Sequence, residues 1–145
     1  MKRRALDDMN CSIAQTLDVV GDSWTLLIVR DALFDVTRFD DFQRRLDIPR
    51  TTLSSRLTTL VEHGVMERRP HESTPARHDY VLTPKGRALH PVVVSMLQWG
   101  DAWSSLPEPP VTLVDADTDA EIDPVYIDRN SGKPLTELNI QRRHN

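Results

Sequence analysis

Residues 50–63 are the part of the sequence whose residue types most clearly indicate a binding chemistry. Leu53, Leu57 and Leu60 recur at helical spacing and predict one buried stripe. The helix then carries the predicted DNA contacts Arg50, Thr51, Thr52, Ser54, Ser55, Arg56 and Thr58. A helix that lies in the major groove suits short polar side chains on its outer face, with arginines at the edges, because long acidic side chains would repel phosphate. The alternative is an ordinary surface helix, but such helices more often use Glu, Lys or Ala than the poor helix formers Ser and Thr.

A second basic segment follows this helix and has the pattern of a β-hairpin. Residues 65–68 and 78–82 are predicted strands, and the polar loop 69–77 between them contains two prolines. The predicted contacts of this hairpin with phosphate or the minor groove are Arg68, Arg69, His71, Arg77 and His78. Since neighbouring strand residues point to opposite faces, only one of the two consecutive arginines is expected to face outward. The alternative is a solvated hairpin tip without a partner.

The order of predicted elements indicates a winged helix-turn-helix. Helices are predicted at 13–20, 24–34, 40–46 and 50–63, then the hairpin, then a helix from 84 to about 103 that Pro91 must kink or restart. The expected fold is mainly α with a small β-hairpin wing, plus a small C-terminal β-hairpin extension. We expect a DNA-binding and dimerisation domain at 1–104, a proline-rich linker at 105–110 and an acidic hairpin-like extension at 111–145 with a disordered end. The short strands of this extension are predicted at 111–114 and 125–127.

Charge is distributed unevenly over the 145 residues. The net charge of −4 would argue against a nucleic-acid partner, but residues 1–104 hold 14 basic and 14 acidic side chains, whereas residues 105–145 hold 4 and 8. The excess of negative charge therefore belongs entirely to residues 105–145, the linker and the extension, and a nucleic-acid partner stays compatible with the rest of the chain.

Several other classes of chemistry have no support in the sequence. The five histidines lack metal-ligand spacing, glycine is too sparse for a phosphate loop and no nucleophile motif is present, so we expect no metal, no cofactor and no enzyme activity. No apolar run approaches the length of about 20 residues that a membrane span needs, and no apolar stretch follows the basic N-terminus as in a signal peptide. With a single cysteine and no internal disulfide, the expected location is cytoplasmic.

An ordered set of motifs resembles one known family. Residues 21–30 (GDSWTLLIVR), 53–57 (LSSRL) and 80–86 (YVLTPKG), with Cys11, Phe39 and Trp99, resemble the HxlR-type winged helix-turn-helix transcriptional regulators, which are MarR-like. The resemblance covers roughly residues 11–103. Ser12 and Pro49 depart from the family's usual proline and serine at those places. The resemblance implies a homodimer that binds double-stranded DNA at a pseudo-palindromic operator and commonly represses transcription.

The last predicted helix carries an apolar stripe too large for one small domain to bury. Its members are the predicted dimerisation residues Val92, Met96, Trp99 and Trp103. Exposed apolar stripes of this kind usually mark an interface, here with a second copy of the chain. Alternatively, the N-terminal helix or the acidic extension covers them.

The alternative function for the whole chain is a winged helix that binds protein and does not read DNA.

Cys11 lies just before the first predicted helix. A helix N-terminus favours a thiolate, and so would Lys2, Arg3 and Arg4 if they fold back, whereas Asp7 and Asp8 oppose it. The resemblance implies an oxidant sensor at this cysteine, and more generally an oxidant or small-molecule effector. The alternative is a small apolar residue packed at the dimer interface.

Overall fold

A computed structural model describes residues 6–143 of the chain. The chain divides into two compact units, Met1–Leu97 and Gln98–Asn145. The α-helices are α1 (Ser12–Val20), α2 (Thr25–Leu33), α3 (Phe39–Leu46), α4 (Arg50–Glu62), α5 (Pro84–Arg87) and α6 (His90–Trp103), and the strands are β1 (Met66–Pro70) and β2 (His78–Leu82). The expected winged helix-turn-helix is confirmed.

The last predicted helix is divided in two. Thr83 caps α5, since its hydroxyl accepts from the amide of Gly86 at 3.2 Å. The helical run restarts as α6 at His90, with Pro91 as its second residue. Proline is tolerated in a first turn because the amide that it lacks would have no partner within the helix. Pro91 therefore restarts the helix, one of the two outcomes that the sequence predicted.

The core of the first unit lies around α4. The predicted stripe Leu53, Leu57 and Leu60 is completely buried. It packs in one cluster with apolar side chains from α2, α3, β1, β2 and the segments that flank α4, among them Ile28, Val29, Phe42, Ile48, Val65, Met66 and Leu82. Burial of this stripe fixes which side of α4 is left facing solvent.

A buried carboxylate joins α2 to α3. Asp31 is 1% exposed, and its Oδ1 lies 2.8 Å from Nη2 of Arg30. Its Oδ2 accepts from Nε of Arg45 at 3.3 Å. Because a buried charge is tolerated only when it is paired, this cluster helps to set the angle between the two helices that precede α4.

The wing is a two-stranded antiparallel sheet in which Met66 pairs with Leu82 and Pro70 with His78. A third segment, just before α3, pairs with β2. Its Arg38 forms a single antiparallel bridge with Asp79, and the amide of Tyr80 donates to the carbonyl of Thr37 at 2.7 Å. This pairing attaches the wing to the helix-turn-helix.

The second unit differs in detail from the expected hairpin, whose strands were predicted at 111–114 and 125–127. Each segment belongs instead to a separate turn closed by one bridge, Val114 with Glu121 and Ile127 with Pro134. An aspartate stabilises each turn locally: Asp115 accepts from the amide of Asp117 at 2.8 Å, and Asp128 from that of Ser131 at 2.9 Å. Such local hydrogen bonds compete with a longer ladder.

Two predictions concern residues beyond those that the structure describes. The end expected to be disordered includes residues 144 and 145, which lie outside the described range. The basic residues Lys2, Arg3 and Arg4, invoked for the cysteine, also lie outside it. Within residues 6–143, no helix is long and apolar enough to cross a membrane.

Candidate nucleic-acid interface

The C-terminal end of α4 is held by the segment that follows the wing. Gly64 has φ +67°, the left-handed conformation that commonly ends a helix. The ammonium of Lys85 donates to the carbonyl of His63 at 2.7 Å, and the hydroxyl of Thr83 donates to the carbonyl of Gly64 at 2.6 Å. These bonds engage the carbonyls of the cap residue and of the residue after it, so the end of α4 is tied to the segment that follows the wing.

One continuous exposed surface runs along α4, and we call it the hydroxyl face. It is lined by Arg50, Thr51, Ser54, Ser55, Thr58, Thr59 and Glu62. Five of the seven predicted contacts on this helix therefore lie together. Thr52 is half-buried and lies outside this set. Thr59 was not among the predicted contacts, although its distance of four residues from Ser55 places it on the same side.

Arg56 has a different environment from the one that the sequence suggested. Its Nε lies 3.2 Å from Oδ1 of Asp22, just before α2, and its side chain is 36% exposed. The same carboxylate accepts from the amides of Trp24 at 2.8 Å and Thr25 at 3.1 Å, and from the hydroxyl of Thr25. Arg56 thus connects α4 to the start of α2 and does not lie on the hydroxyl face.

The pKa of Asp22 reflects this environment. Partial burial acts to raise it, but the hydrogen bonds from Thr25 and Trp24, together with the positive charge of Arg56, outweigh that effect. The pKa of Asp22 therefore lies below its usual value, and the carboxylate stays charged where it caps α2.

A groove rich in basic residues separates the start of α4 from the wing, and we call it the basic groove. Its lining residues are Arg38, Phe39, Asp40, Arg50, Arg68, Ala76, Arg77, His78 and Tyr80. It includes three of the five predicted wing residues. The guanidinium of Arg50 lies over the Phe39 ring, 4.6 Å from its centroid, with Nη1 3.6 Å from Oδ1 of Asp40.

Arg38 is the basic residue of this groove that the sequence analysis did not select. Its position between two helices gave no sign of proximity to the wing. The bridge between Arg38 and Asp79 is what brings it there. The sequence signal for it was its position in the stretch from residue 38 to residue 87, which contains the wing and holds 10 basic and 7 acidic side chains.

The remaining wing residues lie at the exposed end of the hairpin. Arg68 and Arg69 are both exposed, contrary to the expectation that only one would face outward. Burial falls along β1 from Met66 to Pro70, so this end of the two-stranded sheet meets solvent on both faces. Nη2 of Arg68 lies 3.2 Å from Nδ1 of His78, whereas Arg69 is paired with Glu67. His71 accepts through Nδ1 from the amide of Ser73 at 3.2 Å and lies outside the basic groove.

The predicted dimerisation residues remain exposed. Val92 and Met96 line an apolar groove with Ile13 and Leu17 of α1, and we call it the α1–α6 groove. Met96 is 54% exposed, so α1 lies beside these two residues without covering them. Trp99 and Trp103 lie on the part of α6 that belongs to the second unit and are 69% and 75% exposed.

Cys11 is exposed and occupies the position immediately before α1. Its carbonyl accepts from the amide of Gln15 at 3.0 Å, as the first hydrogen bond of that helix. Among residues 6–143, no group of three or more His, Cys, Asp and Glu side chains is arranged to hold a metal ion.

Comparison with known proteins gives a consistent result. The HxlR-like helix-turn-helix family model matches residues 19–107. An uncharacterized HTH-type transcriptional regulator of Mycobacterium tuberculosis is 45% identical over 130 residues, which cover 89% of this chain and 82% of the relative. The crystal structure of PA1607 has a TM-score of 0.86 at 38% identity and covers 97% of this chain and 100% of its own. That of the redox regulator HypR in its oxidized form has a TM-score of 0.57 at 31% identity, covering 66% and 100%. The chain is a DNA-binding transcriptional regulator and belongs to the HxlR-like helix-turn-helix family.

Proposed function

We propose that this regulator is a homodimeric repressor that reads a pseudo-palindromic operator with one α4 helix in each half-site. The observation that carries this proposal is that Arg50 lines both the hydroxyl face and the basic groove. A surface of short polar side chains is therefore continuous with a surface of positive charge. This is the combination that reads base edges and holds phosphates at the same time.

The two surfaces have separate roles in this proposal. Thr51, Ser54 and Ser55, on the first two turns of α4, contact base edges in the major groove. Arg38, Arg68 and Arg77 in the basic groove neutralise phosphates and make binding dependent on salt.

The α1–α6 groove supports the dimer. Ile13, Leu17, Val92 and Met96 present adjoining apolar surface that a second copy would remove from water. In the proposed dimer the two α4 helices must lie about 34–36 Å apart, or at a multiple of that distance, because successive half-sites are separated by one helical turn of DNA.

Modulation by oxidants is part of the same proposal. Cys11 is exposed, adjoins α1 and lies next to Ser12, which lines the α1–α6 groove. A solved relative is named a redox regulator. Oxidation of Cys11, or a small apolar effector bound in the groove, would change the dimer geometry and with it the spacing of the two α4 helices.

DNA binding is tested by selecting preferred duplexes from a random pool and measuring their affinity by fluorescence anisotropy at several salt concentrations. Arg77→Ala should weaken binding to selected and scrambled duplexes alike and reduce the salt slope by about two units, one for the lost phosphate contact of each protomer. Arg129→Ala, which removes an exposed arginine of the extension, is the matched control and should leave the slope unchanged. Equal slopes for all three proteins would refute the role of the basic groove. No binding to any duplex would favour a protein-interaction module.

The dimer is tested by sedimentation equilibrium. Met96→Glu places a charge in the α1–α6 groove and should shift the protein toward monomer and weaken operator binding. Ile140→Glu, at an exposed apolar residue of the extension, is the control. A wild-type protein that is monomeric at micromolar concentration would overturn the dimer. The oxidant role is tested by comparing the wild type with Cys11→Ser after peroxide treatment, where equal losses of DNA affinity would exclude Cys11.

A further inference from the structure

Two threonines on the hydroxyl face donate their hydroxyl protons to backbone carbonyls within α4. Thr58 donates through Oγ1 to the carbonyl of Ser54 at 2.9 Å, and Thr59 donates to the carbonyl of Ser55 at 3.1 Å. A hydroxyl group has one proton, so each of these oxygens can only accept a further hydrogen bond. Each threonine also carries a methyl group. These two positions therefore present an acceptor and a methyl group, but no donor.

Neither arginine of α4 belongs to the later turns of the hydroxyl face. Arginine is the commonest reader of guanine, because it donates two hydrogen bonds to O6 and N7. Arg56 forms an ion pair with Asp22. Arg50 is the first residue of α4, and its guanidinium lies over the Phe39 ring. The later turns of the hydroxyl face consequently lack a donor that suits guanine, apart from the rotatable hydroxyls of Ser54 and Ser55.

An A·T base pair offers what this arrangement can bind. In the major groove adenine presents its 6-amino donor and thymine presents its C5-methyl group. Guanine presents two acceptors there, which an acceptor-only hydroxyl cannot bond. Cytosine has an amino donor, but a G·C pair has no methyl group.

We infer that Thr58, with Thr59 beside it, selects an A·T pair in each half-site through its acceptor oxygen and its methyl group. This inference rests on the proposed function, since it names the base pair that the same surface reads. Thr58 is the principal residue because its side chain is exposed, whereas Thr59 is half-buried.

The test uses the full-length protein and the duplex selected from the random pool. Each A·T pair of the selected site is altered in turn, replacing thymidine by deoxyuridine to remove the methyl group or adenine by purine to remove the amino group. At one pair per half-site, deoxyuridine should weaken wild-type binding by roughly fourfold, the value expected for burying one methyl group. The purine replacement at that pair should weaken binding at least as much.

Two variants separate the roles of the methyl group and the oxygen. Thr58→Ser keeps the oxygen and removes the methyl group, so it should become insensitive to deoxyuridine and stay sensitive to purine. Thr58→Val keeps the methyl group and removes the oxygen, so it should show the reverse. Thr112→Ser in the extension is the control and should behave as wild type. Unchanged affinity of each variant for scrambled DNA verifies that it is folded.

The outcomes distinguish this inference from the proposal on which it rests. If no A·T pair of the selected site responds to either replacement, the inference about Thr58 is wrong, and the proposed function is unaffected. So would Thr58→Ser and Thr58→Val variants that respond to both replacements as the wild type does. A wild-type protein without any sequence preference would overturn both the inference and the proposed function.

Discussion

Replacement of Asp22 by alanine is the sharpest test of how this structure is held together. The Asp22 carboxylate accepts from two amides and one hydroxyl at the start of α2 and faces Arg56 of α4. We expect Asp22→Ala to destabilise the folded protein by about 2–3 kcal/mol, with contributions from the cap, the Thr25 hydroxyl and the ion pair.

The magnitude comes from these three contacts. Loss of an N-cap costs about 1 kcal/mol. The hydroxyl of Thr25, a residue that is 1% exposed, loses its partner, which costs about another 1 kcal/mol. The ion pair adds less than about 1 kcal/mol because solvent screens it: the Arg56 side chain is 36% exposed. Asp22→Asn keeps an oxygen acceptor for the amides and should cost about 1 kcal/mol.

The assay is urea unfolding followed by circular dichroism at a fixed protein concentration, since dimerisation would make the stability concentration-dependent. Asp18→Ala is the control, because Asp18 is an exposed residue of α1 and should change stability by less than about 0.5 kcal/mol. If Asp22→Ala changed the unfolding free energy no more than Asp18→Ala does, the reasoning about Asp22 would be refuted. A double-mutant cycle with Arg56→Ala should give a coupling energy below about 1 kcal/mol.

The pH dependence of this effect follows from the lowered pKa of Asp22. A carboxylate whose folded-state pKa is depressed contributes stability above its unfolded-state pKa, about 4, and loses that contribution as the pH falls through the folded-state value. The stability difference between wild type and Asp22→Asn should therefore be constant from pH 7 to pH 5 and shrink below about pH 4. A difference that grew on acidification would contradict the assigned direction.

Three further perturbations test the packing. In thermal melts, Gly86→Ala should destabilise the protein by about 1–3 kcal/mol, because its Cβ would lie 2.1 Å from the carbonyl oxygen of Val65. Gly100→Ala in α6 has free space for the added methyl group and should stabilise the protein by up to about 1 kcal/mol in the same melts. Leu57→Ala should cost about 2–5 kcal/mol in urea unfolding, since Leu57 is fully buried, and a cost below 1 kcal/mol would contradict its place in the core. Truncation after Leu106 should leave a folded dimer in sedimentation and circular dichroism, and loss of the dimer would mean that the extension completes the interface.

The helices and strands were predictable because their signals are local. Leucines at intervals of three and four residues define the buried side of α4, and burial of one side exposes the other. The glycine after α4 and the Thr83-Pro84 pair mark helix boundaries through conformational preferences that belong to single residues. For these reasons most of the hydroxyl face could be named from the sequence, and the family motifs could be recognised.

The exact strand pairs of the extension were not predictable in the same way. Its residues are mostly exposed, so no burial pattern selects one register. Aspartates that accept from amides two or three residues ahead then decide the structure through short turns. The sequence indicated strands there but could not indicate which segments pair.

What the sequence by itself determined about this protein is the set of elements, their buried sides and the family to which they belong. Only the folded structure decided that Arg56 pairs with Asp22, that Arg38 forms a bridge with Asp79 of the wing, and that the Thr58 hydroxyl donates to the carbonyl of Ser54. The physical reason is that periodicity states which side of an element is buried, whereas a side chain's partner depends on segments tens of residues away or on its rotamer. A residue's type gives its charge and its hydrogen-bonding atoms, but the groups that these contact depend on the folded arrangement.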